Sequence, residues 1–343
     1  MRWARLPAMA AEVWLHGFPL PRRTVELAVR AARWGFDGLL LADSENLVGD
    51  PYVELALAAR ATERLRLGPA VTNPVTRHPA VTAAAVATLQ AESDGRAVVV
   101  FGRGDSAVLQ LGIPPATTAV LERGLKELQG FLGGEDVELE GGARARMSWI
   151  GSTHSAKVPV SVAATGPRTI AAGARHAERV DFTVGADPSR VSWAVGEARR
   201  AAPEGKAPPS LGAFVNFAVN NDASVARDMV RGSAAIFAHY ASEGPLDVLP
   251  AEDRGVVERV GAAYDERTHG LSDAGHATLL PDDFIDRFAV VGDAETCVGR
   301  LRELLALGLE RLVMVPGSRD ADPALVTESN ERFTGEVLPA LHD

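Results

Sequence analysis

Residues 65–112 read LRLGPAVTNPVTRHPAVTAAAVATLQAESDGRAVVVFGRGDSAVLQLG. Leu65–Val71 is a short apolar run, interrupted by Gly68, Pro69, Asn73 and Pro74 where a strand should end. Pro79 suits the first turn of a helix, and the alanine-rich run to about Glu92 sustains it. Arg96–Phe101 is a second, almost unbroken apolar strand, closed by Gly102-Arg103-Gly104-Asp105-Ser106. Strand, awkward loop, helix, strand and glycine loop make a βαβ unit. In parallel α/β folds ligands bind at the carboxyl ends of the strands. Function is therefore to be sought in those two loops.

The same layout extends in both directions. Glu12–Phe18 alternates, so that if Val13 and Leu15 face helices, His16 faces inward near a strand end. A helix from Pro21 to Trp34 follows, then Leu39-Leu40-Leu41, a strand buried on both faces. That strand ends on Asp43, Ser44 and Glu45, and a helix begins at Asp50-Pro51. Downstream, a helix over 118–132 leads to a β-hairpin excursion at 137–150 with Gly141-Gly142 at its middle. Strands are expected at 158–163, 180–184, 211–219 and 312–315. Residues 223–288 are helical without a strand and read as an insertion across one end of the domain. Eight evenly spread strands alternating with helices predict one (β/α)8 TIM barrel over residues 1–343, with a doubly wound sheet as the competing architecture.

Composition excludes several classes of function. The 343 residues carry a net charge of −10, which argues against non-specific nucleic-acid binding. A single cysteine, Cys297, permits no intrachain disulfide and points to a reducing, cytoplasmic compartment. The N-terminus lacks the continuous apolar core of a signal peptide, and no apolar run reaches membrane-spanning length. There is no H-E-x-x-H, no cysteine pair, no nucleophile elbow and no Walker loop, so neither a metal site nor a phosphate-binding NTPase loop is expected.

The candidate chemistry lies at strand ends. Gly102–Ala107 matches G-x-G-x-x-A, but no strand ending in an acidic residue follows at the spacing of a dinucleotide fold. It stands as a loop whose bare backbone approaches an anion, with Arg103 adding charge, or as a structural turn. Ala164-Thr165-Gly166-Pro167-Arg168 combines small residues with a helix N-terminus, whose free N–H groups and dipole favour a phosphate, with a plain turn between strand and helix as the alternative. Asp43 is a site residue or a loop cap. His78 reads as a helix-entry residue, and His239, His269 and His276 as solvated helix positions that would alternatively line a pocket.

Taken together, GFDGLLLADS, RLRLGPAVTNPVTRHPAVTAAAVATL, GRAVVVFGRGDSAVLQLG and AATGPRTIAAGARHAERVDFTVGADP resemble the bacterial luciferase-like superfamily of flavin-dependent oxidoreductases. Within it the chain is most similar to the branch of the methylenetetrahydromethanopterin reductases, which use the deazaflavin coenzyme F-420. The resemblance implies a (β/α)8 barrel with the ring at the strand C-termini and hydride transfer to a small organic substrate. It implies a non-prolyl cis peptide at Ala70–Val71 behind the ring. Asp43 would lie near the ring, with Thr72, Asn73, Arg103, Gly104, Asp105 and Ser106 and the 164–168 loop holding ring edge, tail and phosphate. Relatives with a histidine after the acidic residue differ from this chain, which has Ser44 and Glu45, so the proton would come from Asp43, Glu45, His16 or a histidine of the insertion. Arg77, Arg103, Arg168 and Arg175 are candidates for a basic patch against an acidic cofactor tail. The alternative is a reduced-FMN-dependent monooxygenase on the same barrel, and a third reading is a cofactor-binding protein without turnover. Relatives imply a homodimer.

Overall fold

The computed structural model describes residues 11–342. Its centre is a ring of eight parallel strands: β1 (Glu12–Gly17), β2 (Gly38–Leu41), β3 (Arg66–Pro69), β4 (Val99–Phe101), β5 (Val160–Ala164), β6 (Arg179–Phe182), β7 (Ser210–Val219) and β8 (Arg311–Pro316). Except between β3 and β4, each strand pairs with its sequence neighbours, and β8 returns to β1 with Trp14 beside Val313. Between β3 and β4 only isolated bridges close the ring, at Leu67–Ala97 and Thr72–Phe101. This is the TIM barrel expected from the sequence, and the doubly wound sheet is set aside.

Strand periodicity decides what each side chain meets. Val13, Leu15, Leu39, Leu41, Val160, Val162 and Phe182 point outward and pack under the surrounding helices. The inward positions stack in layers. At the floor, Arg311 donates to Asp181 Oδ1 at 2.6 and 2.9 Å, Ser161 donates to the other Asp181 oxygen, and Arg179 pairs with Glu12 at 3.3 Å. The middle layer is bulky and apolar, with Trp14, Leu40, Val100, Phe214 and Val313 fully buried. The top layer is small, with Ala42, Ala70, Gly102 and Ala163, and leaves room at the C-terminal mouth.

The kink between β3 and β4 carries the cis Ala70–Val71 peptide expected from the resemblance. Just before it, an added Cβ on Gly68 would lie 2.1 Å from the Val98 carbonyl oxygen, so the two strand backbones approach as only glycine permits. Gly68→Ala should therefore lower stability by about 3 kcal/mol or more, visible as a lower melting temperature. A neutral effect would mean that this close approach does not shape the barrel wall.

Between β7 and β8 the chain forms helices Ala223–Ser242, Ala251–Ala263 and Asp282–Phe288 joined by short 3-10 turns. Their apolar faces pack on one another through Val230, Phe237, Val257, Val260 and Phe284. A three-residue strand, Val290–Gly292, pairs with the end of β7 and was not anticipated from the sequence. The hairpin is present as Val137–Glu138 against Arg144–Ala145. Among the described residues no helix is long and apolar enough to cross a membrane.

Candidate active site

The small top layer opens into a cleft of about 310 Å³ between the strand ends and the 223–288 segment. Asp43, two residues past β2, is 4% exposed and lines it. Both of its carboxylate oxygens are buried without a hydrogen-bond partner. Burial pushes its carboxyl up to about 6; the Thr72 hydroxyl, near but outside hydrogen-bond geometry, and the Arg77 guanidinium offset part of the effect. A carboxyl that holds a proton near neutrality beside a cleft is a candidate acid.

Ser44 and Ser106 bring the β2 and β4 loops together, their hydroxyls 2.6 Å apart. Gly102, Arg103, Gly104, Asp105 and Ser106 all line the cleft. A Cβ on Gly102 would strike Val71 at 2.6 Å, so the glycine lets the bulge and the β4 loop meet behind the cleft. Tyr240 donates to Asp105 Oδ2 at 2.8 Å, tying the 223–288 segment to the barrel mouth. Burial raises the Asp105 carboxyl, against the pull of His269 and Tyr240. At the far side Thr165, Gly166, Pro167 and Arg168 line the cleft at the start of helix Pro167–His176. No side chain caps that helix, and no atom outside Gly166 and its chain neighbours would lie within 4 Å of a Cβ there. An open helix N-terminus of this kind suits a phosphate.

Several expected site residues have other roles. Glu45 is exposed and does not line the cleft. His16 does line it, but its Nε2 lies 3.0 Å from the Ala70 carbonyl oxygen, and burial lowers its pKa, so it holds the bulge as a neutral ring. Thr72 and Asn73 are fully buried behind the wall. Thr72 accepts from the Tyr52 hydroxyl at 3.1 Å, and Asn73 Oδ1 accepts from the Val75 and Thr76 amides in a turn of its own loop. Ala164 follows inward-facing Ala163 and precedes inward-facing Thr165, so it faces the outer helices. The basic patch does not assemble: Arg77 pairs with Asp50 at 2.6 Å, Arg103 reaches Glu243 at 4.0 Å and Arg175 reaches Glu122 at 3.6 Å. Arg168 has no ion-pair partner among the described residues.

The histidines of the 223–288 segment are not solvated. His239 stacks on Tyr264 with ring centroids 4.0 Å apart, His276 is 1% exposed against the same ring, and the Tyr264 hydroxyl lies 2.9 Å from His269 Nδ1. His269 and Tyr240 reach the cleft; His269 thereby takes the pocket-lining alternative rather than the solvated one, and Tyr240 was not singled out by local sequence pattern.

The sequence model of the luciferase-like monooxygenase family matches residues 7–311. The chain belongs to this family. The luciferase-like chain is also similar to the 5,10-methylenetetrahydromethanopterin reductase of Methanopyrus kandleri, 28% identical over 93% of this chain and 95% of that protein. An F-420-dependent glucose-6-phosphate dehydrogenase of Intrasporangium calvum is 26% identical over 94% of this chain and 95% of its own length. In three dimensions the luciferase-like barrel superposes on the coenzyme F-420-dependent tetrahydromethanopterin reductase of Methanopyrus kandleri with a TM-score of 0.75 at 24% identity, over 97% of this chain and 100% of that one.

Proposed function

We propose that this chain is an oxidoreductase that moves a hydride between coenzyme F-420 and a small organic substrate. The observation that carries the reading is the cleft itself. Its floor of alanine and glycine, the third and uppermost inward layer of the barrel, gives a flat surface in front of Val71, with an unpaired carboxylate at one edge and an uncapped helix N-terminus at the other. That pattern fits a planar ring ending in a phosphate-bearing tail. The proposed ring contacts are Ala70, Val71, Ser106 and Gly104, and the proposed phosphate contacts are Gly166, Arg168 and the amides of the first helical turn. Bound F-420 supplies a carbon that accepts or releases hydride, so the protein's task is to fix the ring face, exclude water and manage one proton. Asp43 holds that proton. His16 acts as a positioning residue through the Ala70 carbonyl.

Titration of the purified protein with oxidised and reduced F-420 and FMN, followed by fluorescence, tests the reading. F-420 is expected to bind in preference to FMN. Arg168→Gln should weaken F-420 by about tenfold or more, because a charge-assisted contact to the phosphate is removed. The monooxygenase description of the matching family favours the alternative, a reduced-FMN-dependent oxygenase, which selective binding of reduced FMN would establish. Binding of neither would refute both.

In this reading the protein is a cytoplasmic homodimer built on one barrel unit, with residues 223–288 as an insertion over the site. Val53 and Leu57 on one helix and Val81 on the next are each more than half exposed, an apolar patch suited to a second copy. The buried, unpaired Cys297 fits a reducing compartment.

A further inference from the structure

The β8 end of the cleft holds a cation with no partner. Arg319 lines the cleft, and its side chain makes no hydrogen bond or ion pair among the described residues, with Nη1 buried and unsatisfied. The loop that carries it is tightly fixed. The Ser318 amide donates to the Met229 carbonyl at 2.6 Å, Ser318 Oγ accepts from the Gly232 amide at 2.9 Å, and the Arg319 amide donates to the Gly270 carbonyl at 2.9 Å. The adjacent carboxylate, Asp320, is turned away to Ser272, whose amide and hydroxyl it accepts at 2.9 and 2.8 Å. Of the other cleft carboxylates, Asp105 is engaged with Tyr240 and Glu243 with Arg103, while Asp43 follows β2, with β1 between it and the β8 end that carries Arg319. In a chain with 45 acidic and 35 basic residues, a guanidinium held in a cleft with no ion-pair partner among the described residues is suited to recognise an oxyanion.

We propose that Arg319 anchors an oxyanion of the substrate, a carboxylate or a phosphate, so that this enzyme acts on an acidic organic molecule. The proposal rests on the functional reading above, in which the cofactor phosphate occupies the Gly166–Arg168 end. Arg168 follows β5 and Arg319 follows β8, with β6 and β7 between them, so one anion does not serve both. His269, which also lines the cleft, has the Glu266 carboxylate beside it, with Oε2 3.5 Å from its Nδ1, where the Tyr264 hydroxyl also approaches at 2.9 Å.

Calorimetric titration of the full-length protein, with and without F-420, tests the assignment using malonate, inorganic phosphate and neutral 2-propanol. One of the two anions is expected to bind and the alcohol not, and the preferred anion identifies the substrate group. Arg319→Gln should weaken that anion about tenfold or more and leave F-420 affinity unchanged, while Arg319→Lys retains part of the binding. Arg168→Gln should leave the anion bound in the F-420-loaded protein. Equal anion binding by Arg319→Gln and the parent, loss in Arg168→Gln instead, or no anion binding at all would overturn the proposal. Because anions are also titrated without F-420, failure of the cofactor reading is separately visible.

Discussion

Replacing Asp181 with alanine is expected to destabilise the protein by about 3–5 kcal/mol, because it leaves a buried guanidinium without its counterion. Arg311 and Asp181 have side-chain exposures of 3% and 1% and sit at the barrel floor, where water cannot replace the lost carboxylate. The remaining acidic neighbour, Glu12, is 3.9 Å from Arg311 and already shared with Arg179. Arg179 and Arg311 both lie over the Trp14 ring, at 5.6 and 5.9 Å, so the disturbance also reaches the apolar layer above. A native domain is stable by about 5–15 kcal/mol, so this one change removes a large share. The melting temperature should fall by roughly 4–7 °C for a chain of this length. Asp181→Leu combined with Arg311→Met should be less harmful than either single change, since no charge is then stranded. A single-mutant loss below about 1 kcal/mol would show that the floor is hydrated and that the ion pair is not a structural plug.

The barrel was legible because its strands are short, apolar and closed by special residues. Leu39–Leu41 read as a strand buried on both faces and Arg96–Phe101 as an almost unbroken apolar strand, and the GPAVTNP stretch, read as an awkward strand end, falls where β3 and β4 are joined only by isolated bridges. The alternation that placed His16 inward also predicts that Ala164 faces outward between Ala163 and Thr165; applied consistently, it excludes Ala164 from the cleft. Asn73 carried a local signal too, since asparagine before proline closes turns by accepting from its own backbone. The substrate half was not legible. Tyr240 and Asp105 meet across 135 positions of sequence, and Arg319 is fixed by carbonyls and amides of a segment that ends well before it. No local periodicity records such pairings. The histidines of the 223–288 segment looked like solvated helix positions because only the tertiary packing of helix Ala223–Ser242 and of the turns after Ala263 brings His239, His269 and His276 around Tyr264.

Asp43→Asn should separate stability from activity. The folded chain holds the Asp43 proton up to about pH 6, whereas the unfolded carboxyl releases it near 3.8. Folding therefore takes up a proton in that window, and this group's contribution to stability declines as pH rises from about 4 to 6. Above pH 6 the folded protein carries a buried carboxylate with no donor. The amide does not titrate, so Asp43→Asn should be more stable than the parent at pH 8, by at most about 3 kcal/mol from the size of the shift. At pH 4 the two should melt together. Activity should move the other way. If Asp43 delivers the proton, reduction of the substrate by reduced F-420 is fastest below pH 6 and falls about tenfold per unit above it. Asp43→Asn should lose roughly 10²–10⁴-fold in kcat and the pH dependence with it, while F-420 affinity stays within a few-fold. Melting curves and single-turnover rates between pH 4 and 8 read both effects. A parent whose melting temperature is flat between pH 4 and 6 relative to Asp43→Asn would mean that the carboxyl is solvated. A variant with an unchanged pH–rate profile would pass the proton role to the Asp105–Tyr240 pair, which faces the same cleft from the opposite loop.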